Sequence, residues 1–109
     1  MEKDDEGKTA IDLVVAERAR QIDVEGFSPA HDDRYRNDEL ATAAACYALP
    51  ISISDKEVWG TSLIDLMWPL EADWWKPEQS RIRNMVKAAA LLIAEIERIQ
   101  RIEAHQTKE

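Results

Sequence analysis

Apolar and polar positions along this chain recur at helical rather than strand spacing. At 100° per residue, Ile11, Val15 and Ile22 form one apolar face of a first helix, and Leu13 and Val24 form another. Between them runs a narrow stripe of Val14, Arg18, Gln21 and Glu25. A polar stripe with apolar residues on both sides points at protein or a cleft rather than at open water. Thr9, with Asp12 three residues on, has the form of a capping box that opens this helix. The pattern carries it to Glu25, where Gly26 supplies a left-handed stop.

Ser28-Pro29 opens a second short element, with Ser28 as cap and Pro29 in the first helical position. A further helix is expected from Asn37 or Asp38, with Leu40, Ala43, Ala44 and Tyr47 on one face, until Pro50 ends it. Its alanines allow close approach of another helix. Residues 50–76 are irregular: Ile51-Ser52-Ile53 is too short for a strand, and Leu63 to Met67 reads as one helical turn. All four tryptophans lie between positions 59 and 75. Pro77 then reads as the first residue of a helix running to about Ala104. Ile82, Met85, Val86, Ala89, Leu92, Ile93, Ile96 and Ile99 give it a broad apolar face, and Ala88 to Ala94 is apolar all round, as expected of a helix enclosed by others. The resulting expectation is an all-α fold. It is a compact helical bundle of three main helices, with a long Trp-rich irregular connection before a long C-terminal helix. Residues 1–8 read as a disordered acidic tail, 9–104 as a single helical domain, and 105–109 as a frayed C-terminus.

Composition narrows the classes of function. The chain has 109 residues and a formal charge of −8, of which about −5 belongs to the body once the two ends are set aside. An acidic body without a basic stripe argues against direct nucleic-acid binding. No apolar run reaches the roughly 18–20 residues that span a bilayer. Cys46 is the single cysteine, so no intrachain disulfide can form and a cytoplasmic setting is expected. It lies in an Ala-rich run, where cysteine serves as a small apolar filler.

Two groups of residues are candidates for chemistry. The first is acidic: Glu17, Glu25, Asp32, Asp33 and Glu39, with Arg18, Gln21 and His31 among them. Carboxylates from neighbouring helices can hold Mg²⁺, which prefers oxygen ligands, but the same acids beside Arg18 also suit a structural ion-pair network. The second is Trp74-Trp75-Lys76 with Arg83 and Lys87, flat aromatic faces beside cations, suited to stacking a base and gripping a phosphate. Equally, such a loop can cover a core or an interface. With three glycines no Gly-rich phosphate loop can be built, and no nucleophile–histidine pairing stands out.

Taken together, Glu17-Arg18-Ala19-Arg20-Gln21, Glu25-Gly26-Phe27-Ser28-Pro29-Ala30-His31-Asp32-Asp33, Glu39-Leu40, Trp68-Pro69, Trp74-Trp75-Lys76-Pro77 and Lys87-Ala88 resemble a family of small proteins encoded by bacteriophages and prophages. A weaker resemblance is to the all-α nucleotide pyrophosphohydrolases of the MazG type, which hold Mg²⁺ with an E-x-x-E motif on one helix and E-x-x-D on another. Here Glu17 and Glu25 are eight apart, and Lys87 stands where a carboxylate is wanted. The reading that follows is a phage-type accessory protein, homo-oligomeric and without a cofactor. It sequesters a small anionic, nucleotide-like ligand, in a role that counters host defence. Arg18, Gln21, His31, Trp74, Trp75, Lys76, Arg83 and Lys87 would form its site. The alternatives are a Mg²⁺-dependent pyrophosphohydrolase using the five acids, or an acidic protein that binds and inhibits a host complex.

Overall fold

A computed structural model describes residues 7–107. The fold is mostly α-helical, with six α-helices and one two-stranded sheet among the described residues: α1 Ala10–Asp23, α2 Pro29–Asp32, α3 Glu39–Ala48, α4 Ile51–Ser54, β1 Glu57–Val58, β2 Thr61–Ser62, α5 Leu63–Met67 and α6 Arg81–Thr107. The start signals act as the residue types dictate. Thr9 and Asp12 satisfy each other's backbone amides in a capping box at 3.1 and 3.0 Å. Ser28 caps α2 by accepting from the His31 amide, and Pro50 follows the end of α3. α1 stops at Asp23, two residues before the expected end, and Gly26 takes the left-handed φ of 80° that turns the chain.

α6 begins at Arg81 rather than at Pro77. Ser80 is the reason: its hydroxyl accepts from the Arg83 amide, while Asn84 bonds both the amide and the carbonyl of Glu78 and holds 78–80 outside the helix. At the other end α6 reaches Thr107, beyond the expected stop at Ala104. The expected acidic tail falls mostly on residues 1–6, which lie outside the described range, as do 108 and 109. The short helix α4 over Ile51–Ser54 and a hairpin were not expected from the residue pattern. β1 and β2 pair antiparallel across a two-residue turn at Trp59-Gly60, both with positive φ, the geometry a tight hairpin needs.

The core lies where α3 crosses α6. Leu40, Ala43, Ala44 and Tyr47 of α3 meet Ala88, Leu91 and Ala94 of α6, and Phe27 closes one end. The small side chains on both helices permit the close approach. Cys46 is buried as filler, and burial pushes its thiol pKa up. Tyr35, Trp68, Leu70, Trp74 and Trp75 pack over this core from outside. Arg81 donates to the last carbonyls of α3, at Ala48 and Leu49, tying the start of α6 to the end of α3.

The orientation of α6 corrects the apolar-face expectation. Its buried face carries Asn84, Lys87, Ala88, Leu91, Ala94, Glu95 and Arg98, whereas Ile82, Met85, Leu92, Ile96 and Ile99 stand outward, each at least 40% exposed. Val86 alone of the larger residues on the expected face is buried. The domain is also thin, 47 × 42 × 19 Å. Nineteen ångströms accommodates two layers of helices, each about 10 Å across, so no third layer covers the outer side of α6.

Candidate functional site

Of the α1 stripe, Arg18 and Gln21 turn inward, with Glu17 beside them, while Val14 and Glu25 are half-buried. Glu17, Arg18 and Gln21 are all buried, and each finds a different set of partners. Glu17 receives Arg20 on both carboxylate oxygens at 2.8 Å, Arg83 of α6 at 3.2 Å, and the amide of Gln21. Gln21 also reaches the Lys87 carbonyl. Arg20 continues to Glu25, and Glu25 takes Lys76 of the tryptophan loop at 2.9 Å. Lys76, with Arg20 adding to its effect, holds the Glu25 carboxyl below the ordinary carboxylate range. This network joins α1, the loop and the first turns of α6.

Arg18 belongs to a second network. It donates to the Phe27 carbonyl, to Asp32 at 3.2 Å and to Glu97. Asp32 is fully buried, and burial raises its pKa against the opposing pull of Arg18. Its second carboxylate oxygen lies 3.7 Å from His31 Nδ1. The His31 ring lies parallel to Trp74 with centroids 5.6 Å apart, and Phe27 sits 4.6 Å from the same indole. His31 is thus part of an aromatic stack.

The tryptophan loop is held by one hydroxyl. Tyr47 donates to the Trp74 carbonyl and accepts from the Lys76 amide. Trp75 turns the other way, 4.7 Å from the Tyr47 ring and 4.9 Å from Trp68. Beneath Trp68 and Trp74 a small cavity of about 20 Å³ is lined by Gln21, Phe27, Tyr47 and Lys87, with Glu17, Arg20 and Glu25 at its polar side. That is room for about one water. The Oε1 of Gln21 is buried without a protein hydrogen bond.

The start of α6 carries the exposed edge of this site. Lys87 Nζ donates to the Lys76 carbonyl at 2.6 Å and lies 5.6 Å from the Tyr47 ring centroid. One oxygen of Glu78 stands 3.1 Å from Lys87 Nζ and 3.8 Å from Arg83 Nε. The Glu78 side chain is 37% exposed, while Lys87 and Arg83 are 8% and 19% exposed.

Of the expected ligand-binding residues, Gln21, Trp74 and Lys87 come together at the cavity, and Lys76 and Arg83 flank them through Glu25, Glu17 and Glu78. Arg18 and His31 lie in the Asp32 network, and Trp75 faces Tyr47. The five acids are dispersed. Glu17 and Glu25 share Arg20, Asp32 pairs with Arg18, Asp33 pairs with Arg101, and Glu39 accepts from the Asn37 amide. Among the described residues, no three His, Cys, Asp or Glu side chains form a group that could hold a metal ion. Arg20 and Glu78 were not singled out from the sequence, and Tyr47 was assigned only to the apolar face of α3. Arg20, at i+3 from Glu17, carried the one usable signal.

Comparison with known proteins finds no matching family model, no matching curated protein and no matching solved structure.

Proposed function

We propose that this chain is a binding protein for a small anionic, nucleotide-like ligand, held at the start of α6. The ligand's anionic group takes the place of the Glu78 carboxylate between Lys87 and Arg83, and its planar group enters beneath the tryptophan loop. The supporting observation is the exposure mismatch in that trio: Lys87 and Arg83 are largely buried and also bonded to the Lys76 carbonyl and Glu17, while the carboxylate they share, Glu78, reaches in from the half-exposed side. A carboxylate reaching in from solvent occupies a place that phosphate oxygens suit as well or better. Phe27, Tyr47, Trp68 and Trp74 offer the flat faces beside it.

The cavity as it stands admits about one water, so binding requires the segment from Trp68 to Lys76 to lift. That segment is joined to the cavity floor by the Tyr47 hydroxyl, by the Lys87 ammonium on the Lys76 carbonyl and by the half-exposed Lys76–Glu25 pair, so lifting it frees a donor of Lys87 for the ligand. Binding rather than turnover is the reading because each acid that a metal would use is already engaged. Sequestration of a host nucleotide is a role that would fit the resemblance to phage-encoded proteins, by analogy.

Thermal melting and tryptophan fluorescence test it, using nucleoside mono-, di- and triphosphates and cyclic dinucleotides. One class should raise Tm and change the fluorescence, since a ligand that binds only the folded state stabilises it. Lys87→Met should remove both effects. A panel in which nothing shifts either signal overturns the reading.

A further inference from the structure

The outward face of α6 carries a pattern of its own. Ile82, Met85, Ala89, Leu92, Ile96 and Ile99 follow one another at steps of three and four, the spacing of a coiled-coil seam. The five large side chains are between 40% and 55% exposed. Their exposed surface is on the order of 500 Å², at the upper end of the largest apolar patch a monomer carries. Meanwhile the same helix buries Lys87, Glu95 and Arg98 in the monomer. A helix that buries Lys87, Glu95 and Arg98 yet leaves five large apolar side chains on one outer strip has an outer face suited to a partner.

We infer that this partner is a second copy of the chain, with the two α6 helices antiparallel. The strip is symmetric about the peptide between Ala90 and Leu91. Turned end for end, it sets Ile82 against Ile99, Met85 against Ile96 and Ala89 against Leu92, so each small residue meets a large one. A parallel pair would set Ala89 against Ala89 and leave a gap at its centre, and it would align two helix dipoles that the antiparallel pair opposes. Two fully covered strips bury up to roughly 1,000 Å², the lower bound for a specific interface. An isologous two-fold contact of this kind closes on itself and forms no fibre.

Two further observations fit a second copy. An open apolar groove of about 490 Å³ runs beside the strip at its N-terminal half, between Leu13 and Val14 of α1 and Ile82, Met85 and Ala89 of α6. In the antiparallel arrangement this groove receives Ile96 and Ile99 of the other copy. The radius of gyration is 15.1 Å, against about 13 Å for a compact domain of this length. The thin shape becomes an ordinary one when two copies join face to face.

Sedimentation velocity and light scattering test the inference. The wild-type chain should run at twice its 12.5 kDa mass at micromolar concentration. Its association should tighten with added salt, because both copies are acidic and salt screens their repulsion. Ile96→Asp should run at the mass of one chain with its helical circular dichroism retained; Leu92→Ala, a milder change, should weaken association at least tenfold if the first variant fails to fold. Orientation is read from a mixture: Ile82→Asp and Ile99→Lys should each be monomeric alone, and together form a mixed dimer, since position 82 of one faces position 99 of the other. A wild-type chain that stays at single mass up to high micromolar concentration overturns the dimer. An Ile96→Asp variant that keeps double mass overturns the strip, and a mixture that stays monomeric overturns the antiparallel arrangement.

Discussion

Glu78 and Lys87 make an ion pair of unequal exposure: 3.1 Å apart, the carboxylate is 37% exposed and the ammonium 8%. Lys87 keeps a second, 2.6 Å hydrogen bond to the Lys76 carbonyl. The ammonium thus has two partners in the fold, one a backbone carbonyl and the other a carboxylate that reaches it from the half-exposed side. That asymmetry separates this pair from the deeper ones around Glu17 and Asp32, whose acids are fully enclosed.

Glu17 is the acid on which the α1–α6 junction depends. It is fully buried and takes both Arg20 and Arg83, so its loss leaves Arg83 with only the 3.8 Å contact to Glu78 and Arg20 with only Glu25. Glu17→Ala should lower the unfolding free energy by about 3–5 kcal/mol, the range for breaking a buried pair on one side. Arg20→Ala, from a side chain 36% exposed, should cost about 1 kcal/mol or less. Urea denaturation of the two variants measures the difference; equal losses would contradict the burial argument.

Arg18 and Asp32 make a separable case. Asp32→Ala strands a largely buried guanidinium that retains only the Phe27 carbonyl and the half-exposed Glu97, and should cost about 3–5 kcal/mol. Replacing both, as Arg18→Met with Asp32→Leu, should recover most of that loss, because well-packed apolar pairs often equal buried ion pairs. A double variant no more stable than Asp32→Ala would show that Arg18 does more than answer Asp32.

Acid should weaken the attachment of the tryptophan loop through Glu25. Its pKa in the folded state is lowered, first by Lys76 and then by Arg20. The stabilisation is therefore present above the unfolded value of about 4.3 and is lost as pH falls through the folded one. In Lys76→Met the largest cause is gone, so Tm measured from pH 7 to pH 3 should fall less steeply than in the wild type. The effect is modest, under about 1 kcal/mol, because Lys76 is 54% exposed. Parallel pH profiles for the two proteins would contradict it.

The parts of the fold set by local chemistry were legible in the residues. Thr9 with Asp12, Ser28 with Pro29, and Pro50 after Ala48 marked ends that short-range hydrogen bonding and ring geometry determine. The inward turn of Arg18 and Gln21 was legible too, but the apolar faces expected beside them were not borne out, since Ile11, Val15 and Val24 are each more than 60% exposed while Glu17 is buried beside them. What failed was the assignment of faces on α6. An apolar stripe is assigned to the core on the premise that a chain covers its own apolar surface, and Ile82 to Ile99 break that premise. The face that is buried instead relies on Ala88, Leu91 and Ala94 for close approach and on Glu95–Arg98 and Lys87–Glu78 pairing for its charges, a combination with no simple period. The Trp59-Gly60 hairpin was missed for a related reason: its strands are two residues each, and only the turn carries information.

The meeting of the α1 polar residues with the first turns of α6 was legible in the sequence, and the membership of the two ion-pair networks was not. Lys87 and Arg83 were placed at the right end of α6 from their spacing alone. Arg18 was grouped with them because it shares a stripe with Gln21, yet its longer reach takes it to Asp32. Glu78 carried no signal, because its role depends on Ser80 and Asn84 holding the preceding turn out of the helix.

The most direct test of the binding reading is the affinity of Glu78→Gln for the nucleotide class that stabilises the wild type, measured by calorimetric titration. Glutamine keeps the size of the side chain and removes the competing charge from between Lys87 and Arg83. Binding should tighten by about tenfold, the equivalent of roughly 1.4 kcal/mol. Affinity that is unchanged or weaker would contradict the claim that the Glu78 carboxylate occupies the anion's place.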